Sequence, residues 1–381
     1  MKKILNIKEP DITSKELKEV LNCVKKSEIS TYGKLANNIG KDLSIYSNAK
    51  YNLPLNSGSA ALLLGLKSLG VKKGDIVITQ SFTFGATTNA ILNAKAKPWL
   101  FDVDKFSLSL DLNQLQKQLE NKTFSRNGQT FLKKKKQRVY AICPVTSFGI
   151  IPNLSKIKKI ATKYNLKIII DAACAFGNKY HKKSLSKFAD IVVYSFNGNK
   201  NFTAGGGGAL STDKKNLFNK AKILSENGKF KGNYNYIAVG HNYKMTNIHA
   251  AILKSQLFRF KEIKKKIYFN FKKYKKSINN QHLNFFFNEE IPNNISWLNF
   301  VLCKSENTGK KLINYLKKNK VNTDYFWKPM HLQPIKKYFI WENMKFTDKL
   351  YKRIVLIPSS SFIKKKEINY VINLLNNFKN E

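Results

Sequence analysis

The chain has 381 residues, 43% of them hydrophobic, with 68 Lys and Arg against 24 Asp and Glu, a formal net charge of +44. Domains run to roughly 100–200 residues, so this length predicts two of them, or one large one with an appendage. The apolar content, with 17 Tyr, 26 Phe and 4 Trp, excludes global disorder, and no apolar run reaches the roughly 20 residues of a membrane span.

In chain order, Asp11–Val24 places Ile12, Leu17, Val20, Leu21 and Val24 at helical spacing, with Thr13 or Ser14 as cap. The turn Asn56-Ser57-Gly58 leads into an Ala- and Leu-rich helix, Ser59–Leu69. Asp75–Thr79 reads as a buried strand, Ala86–Ala94 as a helix, and Pro98–Asp102 and Arg138–Val145 as short strands. Between those two, Asn121–Gln137 is polar and lysine-rich and reads as an insertion or long loop. A helix at Ser155–Tyr164 precedes the apolar strand Leu166–Ile170, which ends at Asp171; strands follow at Asp190–Phe196 and Gly208–Thr212. Strands separated by helices imply a mostly parallel sheet covered on both faces, an α/β fold. From about Arg259 the pattern changes to a helix (Arg259–Ile278), a strand (Ile295–Cys303), a helix (Thr308–Lys318), a strand (Ile354–Ile357) and a last helix (Lys366–Asn376). This predicts a large α/β domain over residues 1–258 and a smaller α+β domain over 259–381.

The charge raises the question of nucleic acid. Only Arg126, Arg138, Arg259 and Arg353 are arginine, the residue that base readout and bidentate phosphate clamps favour. The lysines accompany abundant Asn, Ile, Phe and Tyr, residue types that share A/T-rich codons, and runs such as Lys133–Lys136 read as solvated faces. The composition therefore argues against a nucleic-acid partner and favours an anionic small substrate. Cys23, Cys143, Cys174 and Cys303 are too few and too scattered for a disulfide framework. The basic start lacks an apolar signal core after it, so the expected location is cytoplasmic.

Three strand ends carry residues suited to chemistry, because ligands of doubly wound sheets sit beyond the carboxyl ends of their strands. Ser57-Gly58-Ser59-Ala60 opens a helix, where free amides and a small hydroxyl can hold phosphate. Such turns also serve merely as caps. Asp171 is either a helix cap or a carboxylate facing a buried cation, such as a protonated pyridine ring. Lys200 follows a buried strand and precedes four glycines, Gly205 to Gly208. By default it is one more surface charge; in a desolvated pocket its amine would become nucleophilic and could form a Schiff base.

Taken together, the motifs resemble those of the DegT/DnrJ/EryC1/StrS aminotransferases, pyridoxal-phosphate enzymes that aminate nucleotide-linked keto-sugars. The matching segments are Glu9 to Thr13, Asn56 to Leu62, Ser81 to Phe84 with Thr87 to Ala90, Ala96 to Pro98 with Asp102 to Asp104, Asp171 to Ala173, and Ser195 to Lys200 with its glycines. His241 to Asn247, Pro329 to Pro334 and Ile357 to Ser361 complete the set. Each is modestly specific; their common order along the chain is the strong signal.

The resemblance implies the aspartate-aminotransferase-like fold and a role for each residue. Lys200 would hold pyridoxal 5'-phosphate and relay the proton. Asp171 would pair with the pyridinium nitrogen. Ser59, Ala60 and Ser195 would bind the cofactor phosphate, and Phe84 would stack on the ring. Asn242 would reach the phosphate from the other subunit of a homodimer, and His331 would face the substrate pocket. Cys174 stands where many members carry Gln or His beside the ring; its plain reading is a buried structural thiol. Gly206 replaces a frequent Glu, Lys244 a frequent Arg, and Thr146 to Gly149 lack a common His. The implied reaction takes nitrogen from L-glutamate to a nucleoside-diphosphate 4-keto-6-deoxy sugar, for a surface polysaccharide or glycan. Relatives that dehydrate sugars carry His in place of this lysine, so Lys200 favours transamination. Two alternatives are a dehydratase-like enzyme on the same fold and a basic nucleic-acid-binding or regulatory protein on an inactive scaffold.

Overall fold

A computed structural model describes residues 4–230, 234–286 and 294–380. In chain order the strands are β1 (Tyr51–Leu55), β2 (Ile76–Gln80), β3 (Lys97–Phe101), β4 (Thr123–Arg126), β5 (Gln129–Leu132), β6 (Arg138–Cys143) and β7 (Lys167–Asp171). They continue with β8 (Ile191–Ser195), β9 (Gly208–Thr212), β10 (Leu283–Phe285), β11 (Asn299–Cys303), β12 (Ile340–Trp341) and β13 (Ile354–Ile357). The main sheet has ten strands among the described residues, in the order β1-β9-β8-β7-β6-β2-β3-β12, with the β4–β5 hairpin attached to β6. From β8 to β12 along this order the pairings are parallel, whereas β9 runs antiparallel to both of its neighbours. This is the mostly parallel α/β architecture expected.

The continuous apolar runs follow from coverage on both faces. Ile168 and Ile170 of β7 enter one core with Val192 and Tyr194 of β8, while Ile169, Ile191 and Val193 enter the opposite core. The helix Gly58–Leu69 lies in the second core and is buried nearly all round, which explains its Leu and Ala content. A smaller antiparallel sheet, β10-β11-β13, has its own core with Leu312, Leu316, Val371 and Leu375. From the same part of the chain, Ile340 and Trp341 cross over to pair with Trp99 and Leu100 at the edge of the large sheet.

The structure corrects the sequence expectation at Asn121–Gln137. Residues 123–132 form a hairpin, turned at Asn127 (φ 50°) and Gly128 (φ 69°), the two-residue signal for a primed turn. Phe124 and Phe131 pair across its strands, 5.8 Å apart. The lysine run beyond the hairpin masked this pattern in the sequence. Five helices that periodicity did not single out are also present among the described residues: Lys34–Ser47, Leu112–Lys122, Lys215–Ser225, Asn247–Phe258 and Lys345–Leu350.

The N-terminal segment is tied to the rest by a buried ion cluster. Thr13 caps the helix Ser14–Lys25 in a reciprocal box with Glu16. Arg259 reaches Asp11 at 2.8 Å and Glu16 at 3.3 Å, with all three side chains buried.

Candidate active site

The carboxyl ends of β7 and β8, the segment after β2 and the start of the helix Gly58–Leu69 converge on a cavity of about 450 Å³. Asp171 ends β7 and is 4% exposed. Its Oδ2 accepts a 2.7 Å hydrogen bond from Thr87 Oγ1, and its Oδ1 accepts one from the Ala173 amide at 3.1 Å. Burial pushes this carboxyl above its ordinary range, with the two hydrogen bonds and Lys200 pulling the other way.

Lys200 is carried by the turn after β8, closed by its own amide bonding to the Asn197 carbonyl at 2.9 Å. The ammonium lies 3.6 Å from the centre of the Trp297 ring and donates to Cys174 Sγ at 3.4 Å. Cys174 is buried and lines the cavity. Burial raises its thiol above the usual range, so it meets the lysine as a neutral thiol. The chain thus brings Lys200, Asp171 and Cys174 onto one cavity.

Ser57, Ser59, Gly58 and Ser195 line the opposite end. Ser57 caps the helix by accepting from the Ala60 amide at 3.1 Å. Ala60 is therefore part of the cap, its amide bonded to the Ser57 hydroxyl. The amides of Gly58 and Ser59 come first in the helix, where intrahelical partners are lacking and the dipole favours an anion. A Cβ on Gly58 would sit 3.0 Å from the Ser195 Cβ. Only glycine allows this close approach of helix end to strand end.

Phe84 caps the far side of the cavity, 60% exposed, with its ring 5.9 Å from Trp327. Trp297 and Trp327 line the same cavity, their rings 6.1 Å apart. No periodicity marks either tryptophan. Thr87 stands four residues before Ile91 on the helix Gly85–Asn93, and its hold on Asp171 also was not visible without the fold.

His331 and Asn242 do not line this cavity, Asn242 being expected to act on the other subunit's cofactor. His331 is not on the cavity wall: its Nδ1 is 2.6 Å from Ser81 Oγ and its Nε2 is 2.8 Å from Asp348 Oδ1. Both ring nitrogens are thus engaged within the fold. Asn242 is exposed and does not line this cavity; its carbonyl is 3.5 Å from the Asn56 side-chain nitrogen.

The donor set matches a flat, phosphorylated, cationic ring: an amine, a carboxylate held by two donors, an aromatic face and an amide-lined helix end. No helix among the described residues is long and apolar enough to cross a membrane, and no cluster of His, Cys, Asp and Glu there could hold a metal.

A sequence model of the DegT/DnrJ/EryC1/StrS aminotransferase family matches residues 10–376. GDP-perosamine synthase of Escherichia coli O157:H7 is 28% identical over 382 residues, covering 99% of each chain. The UDP-4-amino-4,6-dideoxy-N-acetyl-beta-L-altrosamine transaminase of Campylobacter jejuni is 28% identical, covering 97% of this chain and 95% of its own. A DegT/DnrJ/EryC1/StrS aminotransferase from Brucella abortus shares the fold, with a TM-score of 0.86 at 22% identity over 95% of this chain and 94% of that one.

Proposed function

From the premise that this chain belongs to the DegT/DnrJ/EryC1/StrS aminotransferase family, with pyridoxal phosphate as cofactor, we propose that it carries an amino group from L-glutamate to C4 of a nucleoside-diphosphate 4-keto-6-deoxy sugar. The observation that carries the proposal is the pairing of Lys200 with Asp171 across one cavity whose far end is the amide-rich helix start at Gly58 and Ser59. The substrate class is supported by the two relatives, whose names specify nucleotide-linked sugars, one of them a 4-amino-4,6-dideoxy sugar.

Pyridoxal phosphate, when bound, supplies an electron sink for the carbon that loses its proton. The protein does the rest. Asp171 keeps a proton on the ring nitrogen, and Thr87 with the Ala173 amide hold that carboxylate in place. Gly58, Ser59 and Ser195 would hold the phosphate. Lys200 Nζ would hold the cofactor and serve as the group that carries the proton between the carbons that give and receive nitrogen. Trp297 fixes its ammonium at 3.6 Å and shields it from water on that side. Phe84 covers the open face of the ring.

A second copy of the chain completes the site in this reading, with Asn242 reaching the other copy's cofactor. Leu17, Leu21 and Val24 on one helix and Phe258 beside it are exposed, an apolar surface of the kind that subunit contacts bury. The product is an amino sugar for a surface polysaccharide or glycan. The test is a panel of 4-keto and 3-keto nucleotide sugars with glutamate and other donors. Turnover of 4-keto-6-deoxy compounds with glutamate supports the assignment; turnover of a 3-keto compound alone overturns it.

A further inference from the structure

A second cavity, of about 630 Å³, lies on the other end of the sheet from Lys200, where β3 begins. Its walls come from Lys97 and Trp99, the end of the helix Leu112–Lys122, the segment after the hairpin, and Phe339 to Glu342. Lys97, Lys122, Lys133, Lys134 and Lys135 all line it, against one carboxylate, Glu342. That carboxylate is occupied: Lys122 Nζ binds its two oxygens at 2.9 and 2.7 Å, and Trp99 Nε1 donates to it at 2.9 Å. Lys133 reaches only the Asn121 carbonyl, at 2.8 Å. Among the described residues no carboxylate pairs with Lys97, Lys134 or Lys135.

Lysine is common in this chain, so a charged rim alone would mean little. Here Lys97 and Lys135 line one cavity and act on each other. Burial first, then Lys135, lowers the Lys97 ammonium below its usual range, as expected for like charges with no counter-ion between them. Part of the lining is apolar: Leu132 and Phe339 are buried, and Trp341 is 45% exposed. A cleft lined by both unpaired ammonium groups and an exposed indole suits a ligand with an anionic part and a flat ring.

We infer that this cleft binds a nucleoside diphosphate or triphosphate, with its base against Trp341 and its phosphates between Lys97 and Lys135, at a site separate from the catalytic cavity. The base–indole contact is the kind that tolerates any base. The phosphate contacts are ammonium hydrogen bonds, so affinity falls as salt rises.

The test is isothermal titration of cofactor-loaded protein with ADP and, separately, with inorganic pyrophosphate. Wild type and the variants Lys97→Gln/Lys135→Gln, Lys134→Glu and Trp341→Ala are compared. The double variant should weaken ADP by at least about tenfold, with sugar transamination unchanged. Lys134→Glu, on an exposed side chain, gives the same direction without risk to folding. Trp341→Ala should weaken ADP by about tenfold and leave pyrophosphate unaffected. Equal ADP affinity in wild type and the lysine variants would overturn the site, since ADP would then be reading the catalytic cavity alone. Pyrophosphate binding as tightly as ADP, with ADP affinity unchanged by Trp341→Ala, would overturn the nucleotide in favour of a simple phosphate. Displacement of ADP by a single-stranded oligonucleotide at far lower concentration would overturn it in favour of nucleic acid.

Discussion

Thr87 Oγ1 donates a 2.7 Å hydrogen bond to Asp171 Oδ2. Thr87 in turn lies 2.9 Å from Thr83 Oγ1, so the two threonines form a short chain of hydroxyls ending on the buried carboxylate. Thr87→Val keeps the shape and removes the donor. A hydrogen bond to a charged group contributes about 1.5–3 kcal/mol, so pyridoxal phosphate should bind at least about tenfold more weakly, with a parallel loss of kcat. Thr87→Ser should restore most of both. Cofactor titration followed by fluorescence measures this; an unchanged dissociation constant in Thr87→Val would contradict it.

Asp171 also predicts a pH dependence for protein stripped of cofactor. Its carboxyl is raised, chiefly by burial. Between the ordinary carboxylate range and that raised value, the folded protein therefore holds a proton that the unfolded chain has released. Stability should fall as pH rises through this window. Asp171→Asn keeps an acceptor for Thr87 and cannot ionise, so it should flatten that slope and raise the neutral-pH melting temperature, while weakening cofactor binding. Thermal melts from about pH 4 to about pH 8 test this, and parallel curves for the two proteins would refute it.

Lys8 gives a slope of opposite sign at higher pH. Its stem is partly exposed, but its ammonium is enclosed, donating to Asn201 Oδ1 and the Ser359 carbonyl, both at 2.8 Å. Burial, and then Lys200, push it down to about 7, against the pull of Asp11. Below that value both folded and unfolded chains are protonated, and the folded state carries the full cost of the buried charge. As pH rises toward the usual lysine range the unfolded chain holds the extra proton, so stability increases. The melting temperature of wild type minus that of Lys8→Met should therefore climb between about pH 7 and about pH 9. A constant difference would show that the ammonium is not penalised.

Arg259 joins the N-terminal segment to the helix Phe260–Ser277 through Asp11 and Glu16. Arg259→Leu would leave two buried carboxylates without their cation, a change that costs about 3–5 kcal/mol. Adding Asp11→Asn and Glu16→Gln should recover part of that loss. Urea unfolding of the single and triple variants measures both, and a loss below about 1 kcal/mol in the single variant would mean that solvent already screens the cluster.

The strands that ended up in the middle of the sheet were the legible ones. Residues 168–170 and 191–193 are continuous apolar runs because both faces of the sheet are covered, and that pattern needs no knowledge of neighbours. Lys200, Asp171 and the Ser57–Ser59 turn were legible for the same reason, since each directly follows or opens such an element. What stayed hidden depends on contacts between distant segments. Trp297 meets Lys200 across 97 positions of sequence, and nothing local in Ser296-Trp297-Leu298 signals it. The setting of the His331 ring was hidden in the same way, since the groups that hold its two nitrogens, Ser81 and Asp348, lie on other segments. The hairpin at 123–132 had its turn in plain sight at Asn127-Gly128, but strands of four residues are too short for alternation to stand out.

The central claim, that Lys200 and Asp171 run an amino transfer on pyridoxal phosphate, is tested most directly by near-visible absorption of the purified protein. Spectra would be taken with cofactor before and after L-glutamate, with Lys200→Ala in parallel. The account predicts a cofactor band in wild type that is lost on adding glutamate, as the aldehyde form becomes the amine form, and no such lysine-bound band in the variant. A folded wild-type protein that forms no lysine-bound cofactor band, or the same band in Lys200→Ala, would contradict it.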